Sequence, residues 1–400
     1  MRILLWLSIG LDRRSPSEHL LTAIAEALCE QGHTVHILQK DTGGKQDGLP
    51  PRMVELGVTT TRIKSDPPDR SNLIARYLAD VAYVMNCRKW LRHHPAFDRV
   101  FLQSSNVAGI QVHVLQKLLK GVPITFNVQD IFPENAVYSG SLTAKGLPYR
   151  LLSALQKYAY QHAARIITIS EDMKDQLVEL GTAADKIAVI YNWSYQDEPY
   201  DPAQLDFQRV APYFDKAKFH VVYAGNIGRM QNVELVIRAA ASMRDQPDVD
   251  FHVFGEGVDK PRLIALAKQL NADNVAFHPM LDSKDAPALY ASADVNVIPL
   301  AKGIYRTALP SKTATCLACG KPIILAIGKD AKFARSISES AGCPAIDCAD
   351  EDALIQAIRA IKDHALVCST QSMFLHAFQK TQNSRRYALI ISEAYMNHAK

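Results

Sequence analysis

No apolar run in this 400-residue chain approaches the roughly 20 residues that a bilayer-spanning helix needs. The opening MRILLWLSIG is apolar, yet Asp12, Arg13 and Arg14 follow too soon for a signal peptide with a small-residue cleavage site, so it reads as a first buried strand. The seven cysteines, Cys29 and Cys87 among them, lack paired spacing, which argues against both a disulfide framework and a zinc site. Cys316 and Cys319 stand in CxxC order, but inside a short predicted helix and without a second pair. Clustered basic charge is also missing: the net charge is only +4, and no basic patch is interleaved with aromatics, so a nucleic-acid partner is not expected. The mild surplus suits an anionic substrate or a membrane surface. What remains, 48% hydrophobic and 22% charged residues, is ordinary soluble composition with core enough for two large domains.

The patterning alternates strand and helix. Residues 2–8 are strand-like, 16–31 carry helical periodicity, and Gly32 with His33 turns the chain into a strand over 34–39. Such a β-α-β unit demands a parallel sheet with right-handed crossovers. Further strands are predicted at 57–63, 99–103, 123–128, 165–170 and 186–191, with helices at 72–91, 110–119, 146–163 and 171–180, and a surface excursion at 41–51. Residues 192–218 are rich in Asp, Pro and aromatics and lack a clear period, which marks a boundary. Beyond it, strands at 219–224, 251–254, 274–278, 295–299, 322–325 and 342–346 alternate with helices at 233–243, 260–269, 284–291, 312–319 and 354–364. Pattern alone therefore predicts an α/β protein of two doubly wound, Rossmann-like domains in tandem, their facing edges forming a cleft. The expected division is 1–195, a linker at 196–218, 219–380, and a last helix within 381–400 that packs back on the first domain.

Several loops at the carboxyl ends of predicted strands carry candidate chemistry. In GIYRTALPSKTATCLACGKPIIL, residues 303–325, a loop feeds a helix start at Pro310 and Ser311, and Lys312 adds a point charge, a natural seat for a diphosphate. Gly225-Asn226-Ile227-Gly228-Arg229 lets backbone approach phosphate oxygens while Arg229 grips them, although it is not the GxGxxG fingerprint. Gly255-Glu256-Gly257 repeats the strand-to-Gly design one unit later. In the first half, Gln129, Asp130, Glu134 and Asn135 gather carboxylates and amides suited to a polyhydroxylated group, and Arg13 and Arg14 suit an anionic acceptor. Plainer readings stand beside these: Ser311 as a simple cap, Lys312, Arg13 and Arg14 as solvated charges, the glycines as left-handed turns, Asp130 as a local cap. The helix at 146–163, with Leu151, Leu152, Leu155, Tyr158 and Ala159 on one face and Lys145, Arg150 and Lys157 off it, fits an anionic membrane surface or, more commonly, core packing.

Taken together, YAGNIGRMQNVELVIRAA, FHVFGEG, NVAFHPMLDSKDAPALYASADVNVIPL and PSKTATCLACGKPII, with GHTVHIL, QDIFPENAVYSG and ITISEDMKDQLVELG in the first half, resemble the GT-B nucleotide-sugar glycosyltransferases of family four over nearly the full length. The QDIFPENA form resembles the branch that moves N-acetylated aminosugars from UDP onto polyprenyl-diphosphate-linked glycans in O-antigen or capsule synthesis. The resemblance implies a UDP-sugar donor, a lipid-linked acceptor, no metal or cofactor, and peripheral association with the inner face of the cytoplasmic membrane. It casts Asp130, Arg229 and Lys312 as catalytic. Gly225, Asn226, Gly228, Gly255, Glu256, Gly257, Tyr305, Ser311 and Thr315 would join Arg229 and Lys312 around the donor, and Arg13, Arg14, Gln129 and Glu134 would join Asp130 at the acceptor. The sequence departs from the family where a Glu pair is common, holding Thr307 and Thr315, and has Gln231 in place of a lysine and Gln129 in place of a histidine. A single hydroxyl cannot grip a ribose diol as a carboxylate does, and Tyr305 and Arg306 are the nearby substitutes. Two other roles are compatible with these departures: a catalytically silent partner subunit, or a GT-B epimerase acting on free UDP-aminosugar.

Overall fold

Seven short segments, the central ones rich in Ile, Leu and Val, form the first sheet of the computed structural model: β1 (Arg2–Trp6), β2 (Thr34–Asp41), β3 (Thr59–Lys64), β4 (Arg99–Gln103), β5 (Ile124–Val128), β6 (Arg165–Thr168) and β7 (Ile187–Val189). The structure describes residues 1–11, 18–41, 49–65, 73–94 and 96–393. All pairings in this sheet are parallel and the order is β3-β2-β1-β4-β5-β6-β7. Residues Ile3 to Trp6 of β1 and all of β5 are buried on both faces, as a parallel strand covered by helices on each side requires. At the edge, β3 reads TTTRIK and stays largely open to solvent, the polar composition that keeps an unpaired strand from recruiting another.

A second sheet of six parallel strands comprises β8 (Phe219–Ala224), β9 (Val249–Phe254), β10 (Val275–His278), β11 (Val295–Pro299), β12 (Ile323–Ala326) and β13 (Ala345–Ile346), in the order β10-β9-β8-β11-β12-β13. Its core packs Val221, Phe251, Val295, Val297 and Ile324 under the helices Glu234–Ser242 and Glu351–Lys362.

The chain divides into two compact units. One runs to Tyr191 and takes in the helix Lys380–Ser392; the other spans Asn192–Gln379. Residues 196–218, expected as a linker, lie within the second unit. The helix Lys380–Ser392 lies against the helix Glu18–Glu30 and against β4. Four helices stand where none was expected: Pro51–Glu55, Glu134–Tyr138, Lys332–Ala341 and Thr370–Ala377. Among the described residues, no helix is long and apolar enough to cross a membrane.

Candidate functional site

In each sheet the winding reverses once, between β1 and β4 in the first and between β8 and β11 in the second. Open parallel sheets bind ligands outside the carboxyl ends of such strands. In the second unit, the loops leaving β8 and β11 are joined where Ala301 N donates to Met230 O at 2.9 Å.

The turn after β8 extends the pairing of its strand. Gly225 N donates to Phe254 O and Ile227 N to Glu256 O, both at 2.9 Å, so this turn is zipped to the one after β9. A Cβ on Gly255 would stand 1.9 Å from Gly225 O, and one on Gly257 2.1 Å from Ile227 O. These two glycines, expected around the donor, thus admit the backbone of the neighbouring turn. Glu256 is exposed and paired with Lys260 at 2.8 Å. Gln231, where the resemblance implies a lysine, accepts from Gly228 N at 3.1 Å and from Asn226 Nδ2 at 3.2 Å, pinning the turn.

Lys312 opens the helix Lys312–Ala318 that follows β11. Its side chain is half-buried, and Nζ lies 3.9 Å from the ring centroid of Tyr223 on β8. A Cβ on Gly225, whose φ is +142°, would come within 2.9 Å of that nitrogen. Among the described residues no carboxylate or hydrogen-bond acceptor reaches the ammonium. Burial pulls it down to about 8, with the neighbouring Cys316 acting weakly the other way. Arg229 is exposed and likewise makes no ion pair or hydrogen bond among the described residues. Its charge is felt by Asp259, a carboxylate already held by Arg262 through two contacts of 2.8 Å. Two cations with no ion-pair or hydrogen-bond partner among the described residues thus stand on the loop after β8 and at the helix after β11.

The remaining donor candidates are placed differently. Ser311 is exposed, has helical backbone and caps nothing with its hydroxyl, whereas Thr313 Oγ1 donates to Pro310 O at 2.9 Å. Thr315 is buried, its hydroxyl 3.4 Å from Ser194 Oγ, and Thr307 is buried with its hydroxyl on Ile304 O. Both threonines, at positions where the resemblance implies a Glu pair, are therefore turned into the unit's own interior. Tyr305 is half-buried beside Gly328.

In the first unit, the loop after β5 carries Gln129, Asp130 and, at the start of the next helix, Glu134. Ser104 Oγ, on the loop after β4, donates to Asp130 O at 3.3 Å. The Asp130 side chain keeps solvent access, and desolvation raises its carboxyl to about 6. Gln129 Nε2 donates to Asn127 Oδ1 at 3.0 Å and to Tyr387 Oη at 3.3 Å. Glu134 accepts from Tyr149 at 3.1 Å, and desolvation raises its carboxyl too. Arg13 and Arg14 lie outside the described residues. On the helix Leu147–His162 the buried positions are Gln156, Ala159 and Tyr160, whereas Leu147 is 80% exposed and Leu151, on the apolar face open to core packing or a membrane surface, is 62% exposed. Tyr223 and Tyr387 are not legible as site residues in the sequence because the contacts of Tyr223 with Lys312 and of Tyr387 with Asn127 and Gln129 span long separations.

His220, Asp250 and His252 are the described residues whose ligating atoms are grouped closely enough for a metal, within 4.8 Å of one another. They are already engaged. His220 Nδ1 faces His252 Nε2 at 3.1 Å, His252 Nδ1 faces His278 Nε2 at 3.0 Å, His220 Nε2 faces Asp215 O at 2.7 Å, and Lys218 holds Asp250 at 3.0 Å. The Asp215 carbonyl can only accept, so His220 carries its proton on Nε2 and the neutral ladder has a single proton order.

Residues 18–193 match the family model described as "Glycosyl transferase 4-like domain", and residues 218–364 match "Glycosyl transferases group 1". The probable glycosyltransferase WbjE of Pseudomonas aeruginosa is 26% identical over 310 residues, 75% of this chain and 76% of that one. The putative colanic acid biosynthesis glycosyl transferase WcaI of Escherichia coli (strain K12) is 30% identical over 207 residues, 50% of each chain. Among solved structures, Anabaena Alr3699/HepE in complex with UDP-glucose superimposes with a TM-score of 0.63 at 16% identity, covering 98% of this chain and 95% of that one.

Proposed function

Since this chain belongs to the group 1, GT4-like glycosyltransferases of the GT-B fold, we propose that it moves a sugar, an N-acetylated aminosugar, from UDP to a polyprenyl-diphosphate-linked glycan during surface-polysaccharide synthesis. The observation that carries the donor half is the Lys312 ammonium, half-buried at the switch of the second sheet with no acceptor among the described residues. A cation so placed lacks an anion, and a diphosphate supplies one. Arg229 would share that charge and, with Lys312, stabilise the UDP leaving group as the glycosidic bond to it breaks, with no need for a protein nucleophile or a metal. The UDP-glucose bound to Anabaena HepE supports a UDP donor, and the relative named for colanic acid biosynthesis supports a polysaccharide product. Asp130 would address the acceptor hydroxyl; if transfer inverts the anomeric centre, it is the first candidate for general base. Exposed Leu147 and Leu151, with Arg150 and Lys157 on the same helix, suit an anionic membrane face where a lipid-linked acceptor resides.

The interior position of Thr307 and Thr315 favours one rival, a silent partner subunit. Purified protein incubated with a panel of UDP-sugars, with and without a membrane extract containing polyprenyl-linked glycans, separates the readings. Sugar appearing in the lipid fraction with UDP released is the expected result. UDP-aminosugar interconverted without extract would make the protein an epimerase, and neither reaction with any donor would leave the partner-subunit reading.

A further inference from the structure

The sites that the proposed donor role leaves unexplained converge on Tyr223. This side chain is fully buried, packed with Ile227, Val233, Ile237, Val253 and Leu263. Its hydroxyl donates to Asn226 O at 2.5 Å, and its ring face meets Lys312 Nζ at 3.9 Å from the centroid. One residue therefore touches both halves of the candidate cradle, the turn after β8 and the cation that follows β11. We infer that Tyr223 is a positioning residue for donor binding, fixing the Gly225–Gly228 turn with its hydroxyl and holding Lys312 charged and unpaired with its ring. This rests on Lys312 meeting the donor diphosphate.

The physical case is one of competing partners. A half-buried ammonium must be compensated or it loses its proton. A carboxylate would compensate it but would also neutralise it and compete with the incoming diphosphate. An aromatic face attracts the cation through its quadrupole and leaves the full charge available. The geometry is kept by three constraints: the ring is locked in core, the hydroxyl is tethered, and the missing Cβ of Gly225 makes room for Nζ. Among the described residues, the titratable groups that bear on Lys312 are the Tyr223 phenol on β8 and the Cys316 thiol one turn along its own helix; burial pushes both upward, so each is neutral at pH 7. Lys312 itself stands at about 8.

The test measures UDP affinity by calorimetry and kcat/KM for the donor as functions of pH in wild type, Lys312→Ala, Tyr223→Phe, and proteins carrying progressively fluorinated phenylalanines at position 223. Fluorination keeps the ring's shape while stripping its negative face, so folding is preserved where Tyr223→Leu risks losing it. Tyr223→Phe is expected to weaken UDP binding about threefold through the freed turn and to leave the alkaline limb in place. Across the fluorinated series, the alkaline limb is expected to move to lower pH by up to about one unit, with UDP affinity at pH 8 falling about tenfold and less at pH 6. A limb that stays fixed across that series, in a protein whose Lys312→Ala variant loses UDP affinity, overturns the role of the ring and leaves the donor site standing. If Lys312→Ala binds UDP as wild type does at every pH, the donor reading itself is lost.

Discussion

The Tyr387 hydroxyl donates to Asn127 Oδ1 at 3.1 Å, so the helix Lys380–Ser392 reaches the end of β5, directly ahead of Gln129 and Asp130. Gln129 Nε2 closes the triangle on both oxygens. Tyr387→Phe removes one donor from a buried amide oxygen that keeps another, so stability should fall by about 1 kcal/mol. Turnover should fall further than that loss of folded protein explains, because the loop carrying Asp130 loosens. Thermal melts and kcat measured on the same preparation check both parts; unchanged turnover would show that the triangle serves stability alone.

Asp130→Asn should lower kcat by about tenfold or more while leaving the donor KM within about twofold, as expected of a group that acts on the acceptor side. With the wild-type carboxyl raised to about 6, kcat should rise with pH through that value as the carboxylate forms, and the Asn variant should lack this acid limb. If UDP binding vanished in place of turnover, Asp130 would belong to the nucleotide pocket.

Arg229→Ala should raise the donor KM and lower kcat together, since the guanidinium is proposed to meet the diphosphate in both ground and transition states. No protein carboxylate among the described residues is left unpaired by this change, so the melting temperature should stay within a degree or so of wild type, the range of an exposed substitution. Unchanged kinetics would remove Arg229 from the site.

Gly225→Ala places a methyl group 2.9 Å from Lys312 Nζ on a backbone with φ of +142°. The ammonium must move and the turn must strain, so donor KM should rise by about tenfold or more. Gly255→Ala is harsher, because its methyl meets the Gly225 carbonyl at 1.9 Å; here loss of folded protein is the expected readout.

The second unit should be acid-labile. His252 and His278 are held down to about 4 by burial first, with His252 lowered further by the charges of its two histidine neighbours. The unfolded chain takes up protons near 6.5 and the folded one does not until about 4. The stabilisation is therefore whole above 6.5 and is lost as pH falls toward 4, on the order of 3 kcal/mol for buried His252. Denaturant titrations between pH 7 and 4 should show this loss in wild type and a flatter profile in His252→Asn. Added zinc should leave the wild-type midpoint unchanged if the ladder holds protons in place of metal.

Much of the architecture was legible because parallel strands buried on both faces read as continuous apolar runs, as in IIL of β12 or RILLW of β1. The helix Lys332–Ala341 was missed although Phe333, Ala334, Ile337 and Ala341 keep helical spacing, since Ala331 supplies no capping signal and the segment is short. Lys312, Arg229 and Asp130 were visible as charged residues in loops next to strands. Their companions were not. Nothing in FHVVYAG announces that Tyr223 meets a lysine from beyond β11, and nothing in the last helix announces that Tyr387 meets β5. Periodicity leaves Leu151 open to either core packing or a membrane surface, because it gives the existence of an apolar stripe and not the direction in which it points.

The placement of the final helix also orders events during synthesis. The surface formed by the helix Glu18–Glu30 and β4 leaves the ribosome early, yet the segment that covers it, Lys380–Ser392, is made only after every residue of the second unit. Until then the nascent first unit carries an uncovered apolar flank, and the translation time of the intervening residues sets how long chaperones have to guard it.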